Sequence, residues 1–356
     1  MTDAQLSERT ERPSASAPVE RGWRKLLLAL GVFLVLIRFF PLLRVIAPVE
    51  QTLLLFVPAL AACMLVGWWA GGPLLPALAW SGLAALISTN AAAGGTFDVL
   101  ARGWGLLLAG AFGLVCLFGP QRPLMTRGLI SLTLVLVFTL IMGVVGPVSA
   151  DQAAEIVSAE LTRRAADSMA SIRLSLAQMP ELVGRIPELA EMPEQMESLL
   201  DAAARAGTRL FPALLALESL CAVALAWATY HRFSRTRLGP PLAPISQFRF
   251  NDQLVWGLIV GLTVLFVPTL ADARPLGQNF VLFFGALFVL RGLGVLAWFL
   301  APRRLTPLIV TAVVLLYVPV VNYVAVLGLT LLLVVAFGLG LGDTWADWRS
   351  RARPTT

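Results

Sequence analysis

The stretch LFPALLALESLCAVALAWATY, residues 210–230, followed by HRFSRTRLGPPLAPISQFR, residues 231–249, decides how the rest of the chain reads. Its first part is an apolar run of about 20 residues, the length a helix needs to cross a hydrocarbon core of roughly 30 Å. One formal charge, Glu218, interrupts it. The second part is a basic loop carrying His231, Arg232, Arg235, Arg237 and Arg249, broken by Pro240, Pro241 and Pro244. Another apolar run begins directly after it. The plain reading is a span, a loop held on one face, and a second span returning. Basic loops collect on the cytoplasmic side, which orients this pair and, by alternation, everything around it.

Composition agrees. Of 356 residues, 58% are hydrophobic and 13% charged, against about 25% charged in soluble domains. A large soluble bundle needs polar helix faces, and most of these runs have none. The formal charge of +6 does not point to nucleic acid, because the basic residues gather at span ends. Cys63, Cys116 and Cys221 lie in separate apolar runs, too far apart for a metal motif. Residues 26–37 could pass for a signal-peptide core, but no small-residue cleavage site precedes Arg38 and Arg44.

Taken in order, residues 1–23 read as a disordered cytoplasmic tail rich in Ser, Thr, Glu, Arg and Pro. Five spans follow, near 26–46, 52–70, 74–89, 99–118 and 128–148, in an amino-terminal membrane region of residues 24–149. The first holds Arg38, which either snorkels to an interface or marks a tilted helix. Residues 150–208 break the pattern with ten acidic and five basic residues. Ile156, Leu161, Met169, Ile172, Leu176 and Met179 recur at helical spacing. Met179-Pro180-Glu181, Ile186-Pro187-Glu188 and Met192-Pro193-Glu194 suggest short helices restarting. This insertion reads as a hairpin or bent helices lying against the outer membrane surface, or as a regulatory or partner-binding surface.

The carboxyl-terminal membrane region, residues 209–342, holds five more spans near 210–230, 254–270, 280–300, 307–320 and 323–341. Residues 305–341 carry no full charge and are too long for one span, while Pro319 and Asn322 mark a break. Ten spans place most of the Lys and Arg on one face and return residues 343–356 to the cytoplasm as a second tail. The expectation is an all-α, polytopic protein of the bacterial cytoplasmic membrane, with about ten transmembrane helices and both termini inside.

Few residues suggest chemistry. Glu218 and Arg291 lie inside spans, where an ionisable group costs at least about 2.5–3.5 kcal/mol, so each must face protein or water. They could pair with each other. Glu218 could instead bind a proton or substrate, or be protonated and hydrogen-bonded. Asn90 and Asn279 lie close to the same side and could line an opening. Asp98 and Arg102, four apart, allow an interfacial pair. Asp343 and Asp347 flank Trp345 and Trp348 and read as a helix end at the interface or a docking surface for a partner. Arg235 and Arg237 read as anchors to anionic headgroups, with Trp345 and Trp348 as aromatic anchors.

Gly103, Gly105, Gly110 and Gly113, and Gly338, Gly340 and Gly342, suit close helix packing. His231 is the sole histidine and no zinc set surrounds it. No phosphate-binding loop, serine elbow or metalloprotease pattern is present, so neither enzyme activity nor a cofactor is expected.

Two stretches carry a resemblance. They are Gln247-Phe248-Arg249-Phe250-Asn251-Asp252-Gln253-Leu254-Val255-Trp256 and Gly340-Leu341-Gly342-Asp343-Thr344-Trp345-Ala346-Asp347-Trp348-Arg349. With the layout of five spans, a charged insertion and further spans, they make residues 24–353 resemble the YybS-like family of bacterial polytopic membrane proteins. Glu218 and the proline-punctuated insertion depart from that pattern. The family is distantly similar to substrate-binding components of energy-coupling-factor vitamin transporters and to a rod-shape membrane protein. The resemblance implies small-molecule binding or transport, or else a scaffold or envelope-assembly role. In either case the chain would work beside an energising or assembly partner in the bilayer. It assigns no ligand and carries over no binding residue.

Overall fold

The chain was analysed as a computed structural model that describes residues 23–89, 95–145, 149–178, 180, 188–234, 238–300, 311, 322–346 and 348. It is an all-helical, multi-pass membrane protein. Its helices are α1 (Arg24–Phe39), α2 (Pro41–Ile46), α3 (Val49–Trp69), α4 (Leu74–Thr89), α5 (Thr96–Phe118), α6 (Leu124–Val145), α7 (Ala150–Ala177), α8 (Glu188–Phe233), α9 (Val255–Phe266), α10 (Arg274–Leu300) and α11 (Asn322–Ala346). Among the described residues, six helical stretches are long and apolar enough to cross a bilayer: Val49–Trp69, Thr96–Phe118, Leu124–Val145, Met192–Phe233, Pro268–Leu300 and Val326–Ala346. Leu74–Thr89 and Asp252–Phe266 are apolar but shorter. The span expected near 307–320 lies outside the described residues. Broad apolar faces remain bare, with Val144 87% and Leu140 70% exposed. A soluble monomer would not leave such faces to water.

Local chemistry explains the breaks. The span expected near 26–46 divides at Phe40, because Pro41 drives the residue before it to an extended conformation, φ −103° and ψ 100°. Gly71 takes φ 93° in the turn from α3 to α4, a left-handed value that only glycine adopts freely. α9 ends at Phe266 ahead of Pro268, and a 3-10 segment, Pro268–Ala273, turns the chain into α10.

The insertion forms the expected hairpin, and its second helix is continuous with the next span. Ser149 caps α7, its hydroxyl accepting from the Gln152 amide while Gln152 reaches back to the Ser149 N–H. α8 is one helix of 46 residues running through Pro193 and Pro212, so the boundary expected at 208/209 falls inside it. Arg173 pairs with Glu197 at 2.7 Å, and Leu161 lies against Gly207, so α7 and the first half of α8 run antiparallel. Together they form an arm that continues the membrane-crossing part of α8 outward by about 35 Å at 1.5 Å per residue. Val157, Leu161, Ala165, Met169, Leu200 and Ala204 make its core, and Val45 and Phe97 close the base.

Within the membrane, α8 is the shared wall. On one side it packs with α3, α5 and α6 through Leu60, Met64, Leu108, Phe112, Trp227 and Tyr230. On the other, its Leu217 and Leu220 meet Leu287 and Phe288 of α10. Gly105 lies against the Leu54 carbonyl, and Gly292 and Gly340 against the backbone of the facing helix, where a Cβ would collide. Such close approach favours dispersion contacts, the main attraction between helices in lipid. Gly103, Gly110 and Gly338 have nothing in contact range and take no part.

A candidate polar site at the base of the arm

Glu218 sits nearer the arm than the middle of its span. It is level with the first turn of α3, where Gln51 and Thr52 lie, while Gly67 near the other end of α3 meets Tyr230. The two helices therefore run in the same direction. Gln51 Nε2 donates to Glu218 Oε2 at 2.6 Å, and Thr52 Oγ1 donates to Oε1 at 2.8 Å. Both donors are neutral. The positive end of α3 adds a favourable field for the carboxylate.

Gln51, only 3% exposed, carries the connection outward. Its Oε1 accepts from Nη1 and Nη2 of Arg164, both at 3.2 Å. Arg164 also donates to Glu160 at 2.8 Å and to the Val45 carbonyl at 3.3 Å, with its guanidinium 4.8 Å from the Phe97 ring centre. Arg163 grips Glu160 through two bonds, 2.8 and 3.0 Å, and reaches Asp167 at 3.0 Å. Burial pushes the Glu160 carboxyl up, but the bonds from Arg163 and Arg164 outweigh it and leave its pKa below the usual glutamate value. Above Gln51 opens a cleft of about 360 Å³ lined by Arg44, Glu50 and Asp98 from the membrane helices and by Glu160, Arg163, Arg164, Asp167 and Ser168 from the arm. A continuous chain, Glu218–Gln51–Arg164–Glu160, thus joins an intramembrane carboxyl to a polar cleft outside.

Arg291 belongs to a different cluster. The Glu218–Arg291 pair expected from the sequence does not form. Asn279 fixes the register of α10 beside Arg209 and Ala213 of α8. Arg291, twelve residues on, is about 18 Å deeper, against about 10 Å for Glu218. Arg291 instead binds Asp343 Oδ2 at 2.9 Å, the Asp343 carbonyl at 3.1 Å and Asp252 at 2.5 Å, under the Phe250 ring. Asp343, in the last turn of α11, is 1% exposed and serves as an internal ion-pair partner.

Asn279 is buried and mends a helix. Pro212 disrupts the local hydrogen-bond ladder of α8. Next to it, Ala213 N–H donates to Asn279 Oδ1 at 2.9 Å, and Asn279 Nδ2 donates to the Arg209 carbonyl at 2.8 Å. One side-chain amide is inserted between two backbone groups that an unbroken helix would pair directly.

Other expectations resolve differently. Asp98 and Arg102 do not pair; Asp98 acts on Arg163 across the cleft, while Arg102 Nε is buried without a partner among the described residues. Arg127, in the first turn of α6, is fully buried. It donates to the carbonyls of Arg122 and Pro120 and stacks 4.2 Å from the Trp227 ring centre. Trp345 is 67% exposed and Trp348 41%. Asn90, Arg235, Arg237 and Asp347 lie outside the described residues. Sequence reasoning missed Gln51, Thr52 and Arg164. The one readable signal was the Glu160–Arg164 spacing of four, which favours an ion pair on a helix.

A family described as "Predicted membrane protein (DUF2232)" matches residues 153–330. The chain belongs to that family. The match runs from the arm through α8, α9 and α10, so it takes in Glu160, Arg164, Glu218, Asn279 and Arg291, and leaves out Gln51, Thr52 and Asp343. No curated protein and no solved structure matches the chain.

Proposed function

We propose that this protein binds a small polar molecule in the cleft at the base of the arm, as a non-enzymatic substrate-binding or transport component. The observation that carries this is the connection from the cleft through Gln51 to Glu218, which places an ionisable group inside the membrane in contact with an outward opening. Intramembrane ionisable residues of this kind mark substrate, ion or proton pathways. The resemblance to the YybS-like family supports the same class, with an energising membrane partner. Native mass spectrometry of gently purified protein tests it. A retained small molecule that is lost in Glu218→Gln supports the reading; a wild-type protein that carries nothing sinks it.

The orientation in this reading puts both termini in the cytoplasm of a bacterial cell and the arm outside. A Gln195→Cys variant should be labelled by an impermeant thiol reagent from outside the cell, and labelling only from inside reverses the topology. A scaffold or envelope-assembly role is the second reading. The arm favours it, being a long, stapled hairpin whose outer part exposes Leu174 and Leu199.

A further inference from the structure

We infer that the cleft at the base of the arm takes an amine or ammonium group, an inference that rests on the binding reading above. The hydrogen-bond inventory of the cleft is lopsided. Arg163 has Nε, Nη1 and Nη2 engaged by Glu160 and Asp167. Arg164 has all three of its nitrogens engaged by Glu160, Gln51 and the Val45 carbonyl. Arg44 is likewise partnered. The acceptors are not satisfied in the same way. Glu50 and Asp98 line the cleft yet accept no hydrogen bond from any described residue. Each lies in the first turn of its own helix, where it offsets the positive helix end; Glu50 is exposed and Asp98 half-buried, so both stay open to a ligand entering the cleft. Ser168, 2% exposed and lining the same cleft, has a hydroxyl without a partner among the described residues.

The buried Ser168 hydroxyl gains a partner from a ligand able to donate to it, while the exposed Glu50 and half-buried Asp98 carboxylates offer the opposite charge. A group with several N–H donors and a positive charge fits two carboxylates and a hydroxyl. A bare metal ion fits less well, since no cluster of three or more His, Cys, Asp or Glu suited to a metal occurs among the described residues. The amine could belong to a soluble molecule or to a lipid headgroup, because the cleft opens at the first turns of two membrane-crossing helices.

The test uses full-length protein in phosphatidylglycerol nanodiscs, which offer no amine, with the thermal unfolding midpoint as readout. Ethylammonium chloride is titrated against sodium chloride and sodium phosphate of equal ionic strength, and a parallel disc contains phosphatidylethanolamine. Ethylammonium should raise the midpoint saturably. The Glu50→Gln, Asp98→Asn double variant should weaken that effect by about tenfold or more, with its ligand-free midpoint close to wild type. Ser168→Ala should weaken it less. A higher starting midpoint in the phosphatidylethanolamine disc that the double variant abolishes identifies a headgroup as the source; a response to free ethylammonium alone identifies a soluble amine. Stabilisation by phosphate instead overturns the charge assignment and leaves the binding reading standing. Equal stabilisation of the double variant, or no response to any probe, also overturns the assignment, while compound retention judges the binding reading separately.

Discussion

Two polar clusters lie in this membrane protein, and they are built on opposite principles. Around Arg291 every partner is charged or a carbonyl, the guanidinium is 3% exposed, and Asp343 beside it is 1% exposed. The cluster is buried except at Asp252, whose side chain is 59% exposed. Around Glu218 both direct donors are neutral, and the nearest cation is reached only through Gln51, beneath an open cleft. Charge that is fully matched inside a protein holds helices in place. Charge that is hydrogen-bonded but unmatched, and connected to the outside, is available for something else.

The sharpest way to break this contrast is at the Arg291 cluster. Arg291→Ala should leave Asp343 buried without its cation, a change that typically costs about 3–5 kcal/mol, and little folded protein should survive detergent extraction and size exclusion. Replacing Arg291 and Asp343 together by Met and Leu should recover much of that loss. If the single variant folds normally, the cluster is not a lock. Next in size is Asn279→Ala, which strands the Ala213 N–H and the Arg209 carbonyl; a loss of about 1–3 kcal/mol is expected. Hydrogen exchange should then accelerate at 209–213 before it does elsewhere in α8.

Glu218→Gln should behave in the opposite way. Its thermal midpoint should stay near wild type, because a glutamine side chain can still accept one of the two bonds, while compound retention is lost. A large drop in stability would move Glu218 into the structural class with Arg291. The smallest effect expected is on the arm. Glu160 has a depressed pKa in the folded protein, so its contribution is present above the usual glutamate range and lost as pH falls through its lower folded value. Exchange protection at the arm's base should fall below about pH 4 and be insensitive to pH in Glu160→Gln. Arg173→Ala, at an exposed pair, should change stability by under about 1 kcal/mol.

Much of the architecture was legible because hydropathy and helical period are local. The apolar runs became helices, and the spacing of Ile156, Leu161 and Met169 predicted the face that now packs inside the arm. Of the three Pro-Glu phrases only the last misled: α7 ends at Ala177 ahead of Pro180 and α8 starts at Glu188, but Pro193 falls within the first two turns of α8 and does not interrupt it. Glu218 and Arg291 were visible as charges in apolar surroundings, but their partners were not. Gln51 is 167 positions from Glu218 and Asp343 is 52 from Arg291, and no short-range signal links them. The burial of Arg127 was hidden for a related reason. Its neighbours in sequence place it at a membrane edge, whereas the carbonyls that bury it come from the turn ending α5, and its stacking ring from α8.

The amide of Asn279 has a mechanical consequence. It grips α8 at the one proline where the arm and the membrane-crossing part of that helix can hinge. Any bend at that proline is therefore coupled to α10 through a single side chain, and the same helix carries Arg291 twelve residues further on.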